Sequence, residues 1–397
     1  MKASRCQPRG WRRGQVAAVA AGAFAAALLT GCRREPATAA AGRTAAVSPK
    51  AGQALVAAPA PAPALNLLWR YAASAAPLGP VCWDGAGWCA AFEGGVLVRL
   101  GAKGALLWRI ATTNRWAAAP AAAGGCVVVV DESGQAAAFS LRDGTPAWTR
   151  PLDAGVRHPP AVIAGSPERI VFVNAADGAL TVLDAATGAL AWRADPTQRS
   201  DGPAAADGTF VAYGNCDAAV HVFRAADGSR AARVSVGPEG DAQMAGGLAL
   251  WDGAAFGGTR DGALVRVDLS RGRLCWRAAV ADGECFVRPA VLAESGLVVT
   301  GTRAGEVVAV SLAGGAVRWR ADAGTDAVTG LAALDGRLWV TAGSVLTVLA
   351  GSDGILLASR DTGTPLSAPA AAGGTVVVAG EDGTVAAWAF GATEVRP

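Results

Sequence analysis

Few side chains in this sequence could do chemistry, and their spacing limits what that chemistry could be. The 397 residues contain two histidines and eight cysteines. His158 sits in Arg157-His158-Pro159-Pro160, and His221 alternates with Val220 and Val222 in an apolar run. Either imidazole could ligate a metal, but no Cys-x-x-Cys pair accompanies them to complete a zinc site. There is no Gly-x-Ser-x-Gly nucleophile elbow, no Asp-x-Asp-x-Asp-Gly calcium loop and no Cys-x-x-Cys-His haem motif. We therefore expect no catalytic residues, no metal and no enzyme.

The cysteines suggest one bond. With Cys6 and Cys32 set aside for reasons given below, Cys82, Cys89, Cys126, Cys216, Cys275 and Cys285 remain. The segment Cys82-Trp83-Asp84-Gly85-Ala86-Gly87-Trp88-Cys89 reads as a hairpin with Gly85-Ala86 at its tip. That register sets Trp83 opposite Trp88 and Cys82 opposite Cys89. A hydrogen-bonded pair has Cα atoms about 5.5 Å apart, within disulfide range. A Cys82–Cys89 disulfide is one expectation; two buried thiols are the other.

Arginine gives the second constellation. Arg115 precedes Pro120, Arg157 precedes Pro160, Arg199 precedes Pro203 and Arg288 precedes Pro289. If these segments are equivalent loops, four guanidiniums gather on one face as a site for a carboxylate or an acidic partner loop. Local pairing with Asp153, Asp201 or Glu284 is the competing expectation.

The N-terminus carries an address. Lys2, Arg5, Arg9, Arg12 and Arg13 precede a 14-residue apolar run over 16–29, with no acidic residue before Glu35. The run falls short of the roughly 18–20 residues needed to span a bilayer and reads as a secretory signal over 1–31. Arg12-Arg13 leaves twin-arginine export open. Leu29-Thr30-Gly31-Cys32 resembles a bacterial lipobox, which implies lipidation of Cys32 and, with Arg33 next, outer-membrane sorting. Residues 32–66 are an Ala/Pro-rich tether with a coil reach of roughly 30 Å. The whole chain has 35 basic and 32 acidic residues. Residues 67–397 alone have 26 basic and 31 acidic, so the basicity belongs to the leader and no nucleic-acid partner is implied.

The elements that must position all of these residues come from an internal repeat. A glycine is followed ten positions later by a second glycine, and four later by tryptophan. The frame holds for Gly94, Gly104 and Trp108, and for Gly134, Gly144 and Trp148. It returns at Gly178, Gly188 and Trp192, at Gly262, Gly272 and Trp276, and at Gly305, Gly315 and Trp319. Ala232 and Ala358 fill the marker in two degenerate copies, and Trp69 stands first. Successive markers are 39 to 44 residues apart. Each unit holds apolar runs of four to six residues between Gly turns, which read as four strands. Four strands per repeat make a propeller blade. The expected fold is all-β: an eight-bladed β-propeller of four-stranded antiparallel blades over 67–397. The orphan strand at Trp69 would pair with the last blade and close the ring, and the marker tryptophans would pack between blades.

The unit Asp-Gly-x-Leu-x-x-Leu-Asp-x-x-Thr-Gly-x-x-x-Trp resembles the PQQ-type propeller repeat of quinoprotein dehydrogenases, which BamB-type outer-membrane assembly lipoproteins also use. WD40 is a poorer match, because Trp83-Asp84 and Trp251-Asp252 do not end blades. The quinoprotein resemblance would imply adjacent cysteines over the cofactor and calcium ligands, which this chain lacks, so no cofactor is expected, PQQ included. The BamB resemblance implies a periplasm-facing, lipid-anchored scaffold at the outer membrane. Its implied partner is the β-barrel insertase, reached through a loop like Arg-Gly-Glu-Ser-Ala-Pro. Arg199-Ser200-Asp201-Gly202-Pro203 is one residue shorter than that loop. A second acidic loop of the family is replaced here by Gly240-Asp241-Ala242-Gln243-Met244.

Overall fold

The computed structural model describes residues 64–391. The signal, most of the tether and Cys32 lie outside them. The described residues form eight four-stranded antiparallel sheets. In chain order the blades span 82–111, 121–151, 161–194, 205–235, 248–279, 290–322 and 328–361, here called blades 1 to 7. Blade 8 joins Ala370–Ala372, Thr375–Ala379 and Thr384–Gly391 to Ala64–Ala72 from the other end of the chain. The innermost strands touch their neighbours all the way round, including Cys82–Trp83 with Ala370–Ala372. No helix of the described residues is long and apolar enough to cross a membrane.

The local sequence dictates each blade. Middle strands such as Cys126–Val130, a continuous apolar run, and Leu180–Asp184 are almost wholly buried because both sheet faces are covered by neighbouring blades. The core is accordingly a set of inter-blade clusters, such as Val128 and Val130 of blade 2 with Ile170 and Phe172 of blade 3. Innermost strands are short and rich in Ala, where eight blades crowd the axis. Five of the turns between third and outermost strands are held by an Asp side chain, at Asp143, Asp184, Asp227, Asp268 and Asp353. Asp184 Oδ1 accepts from the amides of Ala186 and Thr187 and from the Thr187 hydroxyl.

All eight outermost strands have a register shift just before the marker position, as between Val182 and Leu183 opposite Trp192 and Leu190. The bulge adds one residue and local twist. Each marker indole reaches the following blade. Trp69 Nε1 donates to Ala102 O, Trp108 to Leu141 O and Trp148 to Ala185 O, at 3.0–3.1 Å. Trp192 donates to Ala225 O and Trp276 to Leu312 O at 3.0 Å, and Trp319 to Gly351 O at 3.3 Å. The second glycine of the frame lies against that indole. At Gly104, φ is +79° and a Cβ would stand 2.5 Å from the Trp69 ring. A residue with a side chain would be strained there twice over.

Closure follows the expected pairing but starts earlier. Ala64 pairs with Gly391 and Ala72 with Thr384, so the strand begins three residues before Leu67. Ala64, Leu65 and Asn66 have no strand signature of their own. They extend because Ala389, Phe390 and Gly391 offer them an open edge.

Candidate functional site: one loop face and an axial cavity

Antiparallel strands alternate direction, so the loops from each outermost strand to the next blade share a face with the turns between second and third strands. Arg115, Arg157, Arg199 and Arg288 all belong to the first set of loops. Their surroundings differ. Arg115 Nε stands 3.9 Å from Glu132 Oε2, with both side chains largely exposed. Arg157 is exposed. Arg199 Nε donates to Asp201 Oδ1 at 2.8 Å. Arg288 alone of the four lines the axial cavity, so the four do not make a single cluster at its mouth. The other proposed pairings are redistributed: Asp153 meets Arg193 at 3.7 Å, and Glu284 meets Arg303 at 2.7 Å and Arg260 at 3.7 Å.

Arg260 and Arg303 escaped the sequence reading. They occupy the second position of Thr259-Arg260-Asp261-Gly262 and Thr302-Arg303-Ala304-Gly305, equivalent turns between second and third strands. That shared frame was the available signal. A groove of about 150 Å³ on this face is lined by Asp201, Cys216, Gln243, Arg260, Glu284 and Phe286, among others. It joins the 199–203 loop to the 240–244 loop, the two segments singled out from the family pattern. Beneath it the 199–203 loop is braced: Ser200 is fully buried and donates to Gly202 O at 3.1 Å and Gly214 O at 3.3 Å. A larger cleft of about 760 Å³ lies alongside and is walled by Asp282, Glu284, Arg303, Glu306 and Arg320.

Blade 4 contains the main buried polar ladder. His221, 2% exposed, has Nε2 3.1 Å from Asp217 Oδ2, and Arg233 Nε donates to the same carboxylate at 2.9 Å. Burial pushes the Asp217 carboxyl up, but the bonds from His221 and Arg233 outweigh it and hold the group below its usual range. Tyr213 stacks on His221 and donates to Gly178 O at 2.5 Å. Desolvation pushes its phenol up to about 12. His221 is thus a core histidine with a carboxylate partner. His158 is half-buried, and desolvation lowers its pKa.

The cysteine hairpin has the expected register, Cys82 opposite Cys89 and Trp83 opposite Trp88. Both cysteines are nevertheless free thiols, so the structure holds no disulfide there. The pair is hydrogen-bonded across the ladder, the register with the less favourable Cβ geometry. Contact with Cys82 and burial raise the Cys89 pKa. Beside them Asp84, with a fully buried side chain, accepts from Arg99 Nε at 2.6 Å. Among the described residues no group of three or more His, Cys, Asp or Glu is placed to hold a metal.

These features define a class: a PQQ-repeat β-propeller with charged clusters on its loop face and a single arginine in its axial cavity. The family model for the outer membrane protein assembly factor BamB matches residues 93–241 and 303–393, more than half of the chain, and the protein belongs to that family. Among solved structures, BamB from Moraxella catarrhalis superposes with a TM-score of 0.70 at 19% identity, covering 84% of this chain and 99% of that one. The quinohemoprotein alcohol dehydrogenase of Comamonas testosteroni gives 0.64 at 13% identity, covering 82% of this chain and 76% of its own. A computationally designed propeller, Ika8, gives 0.70 at 19% identity, covering 80% and 97%. At these identities the superpositions speak for the fold. No curated protein matches the sequence.

Proposed function

We propose that the protein is a non-catalytic scaffold that assists insertion of β-barrel proteins into the outer membrane. It works from the periplasmic side, anchored through lipidated Cys32. Family membership over residues 93–241 and 303–393 carries this reading. The loop face supports it, because Arg115 and Arg157 are exposed there and the 199–203 loop is held rigid next to a charged groove. A rigid rim with exposed arginines suits an acidic loop on a partner, because charge steers and orients docking.

Chemical crosslinking in native membranes followed by affinity capture tests the role. The barrel insertase should be recovered with this lipoprotein. Recovery of other partners without it would overturn the assembly role while leaving a propeller lipoprotein with a different client. Reversing Arg115, Arg157 and Arg199 together should reduce capture; undiminished capture would remove the arginine face from the mechanism. The quinoprotein reading makes its own demand: added PQQ and Ca²⁺ should give a new absorbance band and dye reduction, and we expect neither.

A further inference from the structure

The axial cavity of about 710 Å³ is unlike the loop face around it. Its wall is made by the innermost strands and the residues just ahead of them, drawn from seven of the eight blades. Val81, Val162, Leu248, Val291, Leu331 and Ala370 represent its side chains, which are mostly aliphatic, while polar atoms contribute nearly half of its surface. The volume lies in the range of small-molecule sites, roughly 300–1,000 Å³. Arg288 is the one charged residue in that wall.

Register shows how unusual Arg288 is. It stands two positions ahead of Ala290, which pairs with Val299. The same register in the other blades holds only proline, glycine or alanine, including Pro159, Pro203, Gly247, Gly330 and Ala368. Seven blades therefore place a small or rigid uncharged residue where the sixth places a guanidinium. The position also falls within 242–302, the stretch that the family model does not match.

Arg288 has no hydrogen-bond or ion-pair partner among the described residues. The carboxylate nearest in sequence, Glu284, is engaged by Arg260 and Arg303. The side chain is wetted through the cavity, yet desolvation by the surrounding ring lowers its pKa. Arginine remains protonated regardless. The guanidinium is exposed to the solvent of the cavity and faces no counter-ion among the described residues, and a bound carboxylate would meet it with two parallel N–H···O bonds. The aliphatic walls would cover an apolar body attached to it.

We propose that the axial cavity is a binding site for a small molecule bearing one carboxylate on a compact apolar body, with Arg288 as the carboxylate's partner. Every feature needed is present in one place: a cavity of small-molecule size, mostly aliphatic side chains around it and a single unmatched positive charge. The site is separate from the partner-binding face and stands or falls independently of it.

Calorimetric titration of the mature protein with octanoate, octanol and octylammonium tests this. Octanoate should bind saturably, and octanol at least about tenfold more weakly, since a charge-assisted hydrogen bond contributes at least that much. Octylammonium should not bind. Arg288→Gln should weaken octanoate about tenfold or more and leave octanol affinity and the thermal midpoint unchanged, because no protein partner is lost. Arg142→Gln, in an exposed turn away from the cavity, should leave octanoate binding unchanged. Absence of saturable octanoate binding, equal octanoate affinity in the wild type and Arg288→Gln, or a loss caused by Arg142→Gln would overturn the proposal.

Discussion

Blades 3 and 8 have the same four-stranded cross-section but are assembled in opposite ways. Blade 3 is continuous, and its outermost strand follows the third through the short turn at Asp184 and Gly188. Blade 8 borrows its outermost strand, and Asn66 bonds Gly391 O across 325 positions of chain. By the logarithmic scaling of loop closure, joining ends that far apart rather than across a five-residue turn costs about 4 kcal/mol more. The pairing compensates for this. Ala64–Ala72 forms eight register pairs with the last strand, against four between the corresponding strands of blade 3. A ring made of equivalent units thus concentrates hydrogen bonding at the one joint where chain entropy works against it.

Removing Ala64–Ala72 is the strongest test of that comparison. The truncated protein should lose cooperative urea unfolding and associate through the freed edge of Thr384–Gly391; a cooperatively folded monomer would show that closure is dispensable. Trp192→Ala, in the continuous part of the ring, should cost about 3–5 kcal/mol, the usual range for a large buried side chain. Trp69→Ala at the borrowed strand should cost less, because Trp69 is only half-buried. Equal losses in urea melts would mean that burial does not set the marker's contribution.

Next in size is the polar interior of blade 4, which neither blade 3 nor blade 8 shares. Asp217→Asn should cost about 2 kcal/mol at neutral pH, the scale of hydrogen bonds to a charged group. Because the folded carboxyl is held low, its contribution is present above the ordinary aspartate range and is lost as pH falls through the folded value. Wild type and variant should therefore converge in acid. At the alkaline end, Tyr213 makes the fold lose stability as pH rises from the ordinary tyrosine range toward about 12, and Tyr213→Phe should remove that slope. Thermal melts across pH check both. The smallest effect belongs to the ion pair at the seam, Arg70 with Asp382 at 3.7 Å and both side chains exposed. Asp382→Asn should change stability by about 0.5 kcal/mol or less. A larger loss would move the credit for closure from the backbone ladder to charge.

The architecture was legible because one frame, glycine to glycine to tryptophan, encodes a turn, a bulge and an inter-blade contact together. The orphan Trp69 strand even gave the closure. What stayed hidden depends on position in the ring and not on the frame. Ala358 reads as a decayed marker, yet the blade after it is blade 8, whose third and outermost strands come from opposite ends of the chain. No turn glycine exists there for an indole to cover. Ala232 has no such explanation, since Gly272 faces it in the usual place. The four arginines share a loop class, and sequence could not show that one of them turns toward the axis. The cysteine register was readable from the hairpin, whereas formation of the bond was not, because spacing does not fix Cβ geometry.

The tryptophan contacts have a consequence for how the ring is joined. They run one way, from each blade to the next, at the junctions 8 to 1, 1 to 2, 2 to 3, 3 to 4, 5 to 6 and 6 to 7. The links from 4 to 5 and from 7 to 8 are absent because those markers are Ala232 and Ala358. The indole links therefore fall into two runs, blades 8 and 1–4 in one and blades 5–7 in the other, and the two junctions between the runs are held by other contacts, such as Arg277 Nε donating to Val236 O and Arg337 over the Phe390 ring.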